Sequence, residues 1–244
     1  MQPSPRRVPM SHPVSTPTSA LRVGAALLFA AALAVGGLAY ARWLDAVATV
    51  GTAPWWPLAG NVALFTAFAL HHSLLARTPL KHWLHRRVGS AVERLLYVIV
   101  ASVLFLGCCL AWRPLPGTWY ELHGAPRVVG YAVQLAGVWV TLVAARTLDV
   151  KELAGWTPPG VGPARALETS GLYSVVRHPI YFGWVLLMAG APTMTATRAS
   201  FALISIAYLA LAIPFEERSL IDAFGTPYRH YQRSVRWKMV PGVF

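Results

Sequence analysis

The stretch of sequence that decides the fold covers residues 171–220 and reads GLYSVVRHPIYFGWVLLMAGAPTMTATRASFALISIAYLALAIPFEERSL. It contains two apolar segments, 180–195 and 199–215, which are joined by a short polar linker and predict a helical hairpin. Ionisable and aromatic residues bracket this hairpin at both ends. Such groups are costly in a membrane protein unless they line a site. The two ends of the hairpin are therefore the first candidates for a functional site.

The rest of the chain has the composition of a membrane protein. Charged residues make up only 12% of the 244 residues, whereas 56% are hydrophobic. A helix needs about 20 apolar residues to span a bilayer, and four further apolar stretches come close to that length. These stretches are 23–41, 55–76, 95–112 and 128–145. The sequence therefore predicts an all-α integral membrane protein with about six transmembrane helices, of which the last two form the hairpin.

The distribution of Lys and Arg predicts the orientation of these helices, because cytoplasmic loops are enriched in positive charge. With a cytoplasmic N-terminus, 17 of the 21 basic residues lie on the cytoplasmic side, all except Arg42, Arg113, Arg127 and Arg198. We therefore expect both termini in the cytoplasm, and a bacterial inner membrane as the location. The net charge of +12 then faces anionic membrane lipids. Nucleic acid is not an expected partner, because no basic segment carries interleaved stacking aromatics.

The chain divides into a tail and one domain. Residues 1–22 are predicted to be a disordered cytoplasmic tail, since the segment is rich in Pro, Ser and Thr. Residues 23–244 are predicted to form a single polytopic membrane domain, in which 170–244 is a terminal module. We expect the ligand site to be built from this module, the cytoplasmic loops and the C-terminal tail.

Several common kinds of site have no signature here. No H-E-x-x-H motif occurs, and no carboxylate stands at metal-ligand spacing from the histidines, so no metal site is predicted. No G-x-S-x-G elbow occurs, and the glycine-containing segment 160–163 ends in proline, so a dinucleotide-binding turn is not expected. A nucleotide-like cofactor would have to be held by the membrane helices and their cytoplasmic ends.

The residues around the hairpin favour a cationic or amphipathic ligand. Glu216 and Glu217 supply negative charge, and tyrosine rings add cation–π attraction of about 0.5–2 kcal/mol. These tyrosines are Tyr173, Tyr181, Tyr228 and Tyr231. S-adenosylmethionine, a sulfonium that carries adenine and ribose, is such a ligand. The structural alternative is an aromatic belt at the membrane interface beside a helix-ending pair of glutamates.

Four motifs occur in order along the last third of the chain. They are Gly-Leu-Tyr at 171–173, Arg-His-Pro-Ile-Tyr-Phe-Gly at 177–183, Glu-Glu-Arg-Ser-Leu at 216–220 and Phe-Gly-Thr-Pro-Tyr-Arg-His-Tyr at 224–231. Together they resemble the isoprenylcysteine carboxyl methyltransferase superfamily of integral membrane methyltransferases. Upstream features, among them His72-Ser73 and Glu93-Arg94, narrow the resemblance to the bacterial methanethiol S-methyltransferase branch over about residues 55–242.

The resemblance implies a methyltransferase that uses S-adenosylmethionine. The cofactor-binding residues that it implies are Tyr173, His178, Pro179, Ile180, Tyr181, Glu216 and Glu217. Prenylcysteine enzymes also use an Arg one turn before the first Glu, where this sequence has Ala212. That difference favours a small thiol such as methanethiol over a prenylcysteine carboxylate. The expected partners are therefore a small thiol or a lipid-soluble methyl acceptor, together with membrane lipids.

A thiol acceptor must lose its proton, because the thiolate is the nucleophile. The candidates for accepting that proton, or for lowering the pKa of the thiol, are His72, Arg77 and Arg177. His72 is predicted to lie about one turn inside the membrane end of the second helix, where an imidazole needs a partner. A purely structural histidine that bridges two helices is the alternative for this residue.

Other functions remain open for this sequence. An isoprenylcysteine-type or phospholipid methyltransferase would use the same terminal module with another acceptor. Membrane sterol reductases have a similar terminal pattern but bind NADPH. A non-catalytic membrane accessory protein, for instance in denitrification, is the remaining alternative.

Overall fold

The computed structural model describes residues 17–49, 53–77, 79–156 and 166–244, and of 74–77 and 79–82 it describes only the backbone. Most of the predicted tail, residues 1–16, and the proline-containing segment 157–165 lie outside the described residues. The first helix begins at Ser19, where the Thr18 hydroxyl caps it by accepting a hydrogen bond from the backbone N–H of Leu21. The predicted domain boundary at residue 23 therefore falls inside this helix.

The described residues form nine α-helices, a π-helical turn, a 3-10 turn and two short strands. The helices are α1 (Ser19–Leu38), α2 (Trp55–Arg77), α3 (Pro79–Val88), α4 (Ser90–Ala111), α5 (Gly124–Ala145), α6 (Val150–Leu153), α7 (Pro179–Ala189), α8 (Ala196–Phe224) and α9 (Thr226–Ser234). The π-helical turn, Ala39–Trp43, extends α1, and the 3-10 turn covers Gly171–Ser174. The strands are β1 (Thr118–Glu121) and β2 (Thr193–Thr195).

Four of the helices are long and apolar enough to cross a membrane. They are α1 with its π-helical extension, α4, α5 and α8, and they mark the chain as an integral membrane protein. The predicted span over 180–195 is shorter in the structure, because α7 ends at Ala189 after 11 residues. At about 1.5 Å per residue, α7 reaches only roughly half-way through a bilayer core. Helix α2 has 23 residues, and its mostly apolar sequence is interrupted by the polar residues Asn61, His71 and His72.

The prediction of an all-α fold needs one correction. β1 and β2 pair as a two-stranded antiparallel sheet, in which Thr118 lies opposite Thr195 and Glu121 lies opposite Thr193. Both strands lie in connections between apolar helices. Strands of three and four residues are too short to show the alternation of apolar and polar residues by which a strand is recognised in sequence.

The start of α8 fixes the loops at this end of the bundle. The Thr197 hydroxyl donates to the Ala46 carbonyl oxygen at 2.6 Å and accepts from the Leu115 N–H at 2.8 Å. The buried guanidinium of Arg198 forms an ion pair with Asp45 at 2.9 Å. Residues that the sequence presented as a hairpin linker therefore hold three segments of the chain together.

Glycines allow α5 and α7 to pack backbone against backbone in an antiparallel pair. A Cβ atom added to Gly137 would lie 2.6 Å from the Gly183 carbonyl oxygen, and one added to Gly190 would lie 2.9 Å from the Gly130 carbonyl oxygen. Small residues permit this close approach between membrane helices. The contact brings the start of α7 next to the end of α5, where the candidate site lies.

We expect Gly183→Ala to destabilise the protein by about 1–3 kcal/mol. The added Cβ would lie 2.7 Å from the Gly137 carbonyl oxygen and 2.9 Å from the Thr141 nitrogen, and neither backbone atom is able to rotate away. Unfolding followed by tryptophan fluorescence in detergent measures the change. Gly107→Ala in α4 is the matched control, because a Cβ there meets no atom of the described residues within 4 Å. Equal losses in both variants would contradict the close packing of α5 and α7.

Candidate active site

A cavity of about 360 Å³ lies where the end of α5 meets the start of α7 and the α8–α9 corner. Tyr173, Tyr181, Tyr228 and Tyr231 line it, and we call it the tyrosine cavity. Its volume is in the range of small-molecule sites. Six of the predicted cofactor-binding residues line this cavity, namely Tyr173, His178, Pro179, Ile180, Tyr181 and Glu216.

Glu216 is held in the wall of the tyrosine cavity by two neighbours from the start of α7. The Tyr181 hydroxyl donates to Glu216 Oε2 at 2.7 Å, and His178 Nδ1 lies 3.7 Å from the same oxygen. Pro179 is the first residue of α7, where its fixed φ favours helix initiation. The His178 and Tyr181 rings stack at 5.4 Å between centroids. The Glu216 side chain stays 31% exposed, so its carboxylate is accessible to a ligand.

Glu217 lies behind this wall and forms a buried ion pair with Arg177. Arg177 Nε donates to Glu217 Oε1 at 2.6 Å, and the two side chains are only 6% and 10% exposed. Arg177 Nη1 also donates to the carbonyl oxygens of Val235 and Arg236, at 2.6 and 3.1 Å. Glu217 Oε2 accepts from Gln232 at 3.1 Å. This ion pair therefore ties the C-terminal tail to the start of α7.

Two tyrosines that were not assigned to the predicted cofactor set complete the tyrosine cavity. The Tyr231 hydroxyl donates to the Tyr173 carbonyl oxygen at 2.6 Å. Tyr228 is 1% exposed, and its hydroxyl has no hydrogen-bond partner among the described residues. Burial raises the pKa of both phenols, so they remain protonated donors. Their place in the terminal motif was the signal in the sequence, but an interfacial belt explained it equally well.

A second carboxylate, Glu168, also lines the tyrosine cavity. It accepts hydrogen bonds from the Ser170 hydroxyl at 2.6 Å and the Ser170 N–H at 2.8 Å. These bonds lower the pKa of Glu168, so this carboxylate adds a negative charge to the cavity at neutral pH.

A second cavity of about 290 Å³ adjoins the first and shares Ile180 and Tyr181 with it. We call it the apolar chamber, because its lining is mainly apolar and includes six aromatic rings besides Tyr181. These rings are Phe65, Phe68, Phe105, Trp184, Phe201 and Tyr208. His72 and Ser73 from α2 also line it.

The three candidates for thiol activation have different surroundings. His72 lines the apolar chamber, and its Nδ1 lies 2.8 Å from the Tyr97 hydroxyl on α4. Arg177 lines the tyrosine cavity, but its guanidinium donates to Glu217 and the tail. The side chain of Arg77 lies outside the described residues. The structure thus brings His72, but not Arg177, next to the chamber beyond Tyr181.

Comparison with known proteins identifies the family. A family model described as phospholipid methyltransferase matches residues 126–227. The chain is 34% identical over 191 residues to methanethiol S-methyltransferase 2 of Bradyrhizobium diazoefficiens, which covers 75% of this chain and 73% of that protein. The chain belongs to the methanethiol S-methyltransferase family. The resemblance in the terminal motifs is thereby confirmed.

Two other members of the family support this assignment. The methanethiol S-methyltransferase of Pseudomonas deceptionensis is 32% identical over 213 residues, 82% of this chain and 79% of that protein. The enzyme of that name from Mycobacterium tuberculosis is 34% identical over 183 residues, 72% of this chain and 75% of that protein. No solved structure matches the chain. The protein is therefore a methyltransferase, and its family implies S-adenosylmethionine as the methyl donor.

Proposed function

We propose that this protein transfers the methyl group of S-adenosylmethionine to methanethiol, which yields dimethyl sulfide. The observation that carries the proposal is the common wall of Ile180 and Tyr181. On one side of it lies a cavity with carboxylates and tyrosines, and on the other side lies an apolar chamber. A charged donor and an apolar acceptor would meet at this wall. The substrate in the names of the relatives supports the choice of acceptor.

The residues of the tyrosine cavity fit the cofactor. Glu216 offers an accessible carboxylate for a cation, and the stacked ring of Tyr181 lies beside it. The buried Tyr228 hydroxyl has no hydrogen-bond partner among the described residues, so it is available to donate to a polar group of the ligand. A buried donor that makes no hydrogen bond destabilises the protein. Bound S-adenosylmethionine supplies an already activated methyl group, so positioning and proton removal are left to the protein.

We assign removal of the thiol proton to His72. In the tautomer that donates its Nδ1–H to the Tyr97 oxygen, Nε2 carries the lone pair that accepts a proton. The S–H bond would then break toward His72, and the thiolate would form a bond to the methyl carbon as the bond from that carbon to the sulfonium breaks. This would leave a neutral thioether as the second product, and His72 would pass its proton to water.

Arg177 and Glu217 have a positioning role in this proposal. Their buried pair orders residues 177–181 against the tail, and those residues supply Tyr181 to the common wall.

We also propose that the tyrosine cavity faces the cytoplasm. The support for this orientation is the excess of basic residues on that side of the predicted topology.

A labelling experiment tests the proposed function. The purified full-length protein in detergent is incubated with methyl-labelled S-adenosylmethionine and one acceptor at a time: methanethiol, phosphatidylethanolamine or a prenylcysteine. We expect label in dimethyl sulfide collected from the headspace. Label that appears in the lipid or the prenylcysteine, with none in dimethyl sulfide, would overturn the proposal.

Substitutions of Glu216 and Tyr181, which both line the tyrosine cavity, should weaken cofactor binding. We expect Glu216→Gln and Tyr181→Ala each to raise the Kd for S-adenosylmethionine by about 10- to 100-fold, because hydrogen bonds to charged groups contribute about 1.5–3 kcal/mol. Calorimetric titration measures the change. Asp222→Asn is the matched control, since it removes a charge from an exposed position on the same helix. Unchanged affinity in both the Glu216→Gln and the Tyr181→Ala variants would show that the tyrosine cavity does not bind the cofactor.

A further inference from the structure

We propose that the apolar chamber is the acceptor site and that it takes apolar thiols bulkier than methanethiol, such as butanethiol and benzenethiol. This inference rests on the proposed function, because it assumes methyl transfer to a thiol. It goes beyond that function in naming the site and the breadth of the substrate class.

The size of the chamber is the first argument. Its volume is about 290 Å³, whereas a water molecule takes up about 30 Å³ of the liquid. Methanethiol has two heavy atoms, so the chamber is several times larger than this acceptor. A site that selected methanethiol by fit would leave no such space.

The chemistry of the wall is the second argument. The polar atoms of Trp184 and Tyr208 are already hydrogen-bonded: Trp184 Nε1 donates to Ser205 Oγ at 2.9 Å, and the hydroxyls of Tyr208 and Thr66 are hydrogen-bonded to each other. The wall therefore presents mainly carbon to a ligand. Sulfur is stabilised by contact with aromatic rings, and each buried methylene adds hydrophobic stabilisation.

The neighbours of the chamber are the third argument. At one side it shares Ile180 and Tyr181 with the tyrosine cavity. At another it shares Phe68, His72 and Phe105 with a cavity of about 330 Å³ that α1 and α4 line. These two helices are candidate membrane spans, so a thiol dissolved in lipid would reach the chamber past His72. The reacting sulfur would lie between His72 and the common wall, with its apolar substituent against the rings.

A chain-length series tests the proposal on the unmodified protein. We expect kcat/KM to rise from methanethiol to butanethiol, by up to about four-fold per methylene, which is the factor that 0.8 kcal/mol corresponds to. Benzenethiol should also be methylated. If methanethiol is methylated but kcat/KM falls with every added methylene, the inference is wrong while the proposed function stands. If no thiol is methylated, the proposed function fails and the inference fails with it.

A variant pair on α8 tests the location. Leu209 lines the chamber, whereas Leu211 is 63% exposed on the same helix. Leu209→Trp should lower kcat/KM for butanethiol and benzenethiol by about ten-fold or more, because the larger side chain overfills the apolar site. The value of kcat/KM for methanethiol should fall less, and the Kd for S-adenosylmethionine should not change. Leu211→Trp should leave the whole series unchanged.

The test stays decisive if Leu209→Trp fails to fold. Ala212 also lines the chamber, and Ala212→Leu fills it with a smaller side chain. In this variant too, kcat/KM is expected to fall more for larger thiols. Unfolding in detergent shows whether each variant is folded. An equal loss for methanethiol and butanethiol in the folded variants would show that the chamber is not the acceptor site.

Discussion

Arg177→Ala is expected to destabilise the protein by about 3–5 kcal/mol and to abolish binding of S-adenosylmethionine. The substitution leaves the Glu217 carboxylate buried without its cation, and the carbonyl oxygens of Val235 and Arg236 lose a donor. The tail would then separate from the start of α7. Unfolding in detergent measures the first effect, and calorimetric titration with the cofactor measures the second.

Two further variants show what the Arg177 site requires. Arg177→Lys retains the charge but lacks the planar fork that serves Glu217 and the tail at once, so we expect an intermediate loss of stability. Arg218→Ala removes an exposed arginine next to Glu217, and we expect little change. A stable Arg177→Ala variant with normal cofactor affinity would show that the buried ion pair does not organise the tyrosine cavity.

His72→Ala is expected to lower the rate of methyl transfer by about 10²- to 10⁴-fold, which is the usual contribution of a general base. The Kd for S-adenosylmethionine should stay the same, because His72 lines the apolar chamber and Glu216 lies in the other cavity. Raising the pH toward the pKa of the thiol should partly restore the variant, since the solvent then supplies thiolate directly. Rates from single turnovers across a pH series give both results.

The neighbouring His71 provides the matched control. Its Nε2 lies 3.4 Å from the Tyr97 carbonyl oxygen, and the two rings stack, but it is not among the residues that line the chamber. His71→Ala should change stability and not the pH profile. If His72→Ala turns over normally at neutral pH, His72 acts only as a bridge between α2 and α4 through Tyr97.

The fold could be predicted from the sequence where hydrophobicity alone decides the structure. Long apolar segments predict helices, and α1, α4, α5 and α8 are long and apolar enough to cross a membrane. The prediction was less accurate around residues 190–198, where α7 ends early and β2 begins. The apolar side chains before Pro192 continue beyond the end of α7, so composition did not reveal where that helix stops.

The candidate site could be predicted only in part, for a similar reason. The motifs identified Tyr181 and Glu216, and the structure joins these two side chains by a hydrogen bond. They could not distinguish Glu216, which lines the tyrosine cavity, from Glu217, which lies behind it. Adjacent residues of a helix point about 100° apart, and only packing against Arg177 decides which carboxylate is buried.

The sequence by itself determined that the chain is a membrane protein and belongs among the methyltransferases, because apolar length and short motifs are local properties of a chain. Only the tertiary structure decided that Ile180 and Tyr181 separate two cavities, and that His72 from α2 lines the second of them. His72 and Tyr181 are about 110 residues apart in the sequence. The close packing of α5 on α7 through their glycines sets the position of the wall. Small residues permit such an approach, but which two helices meet depends on how the whole bundle packs.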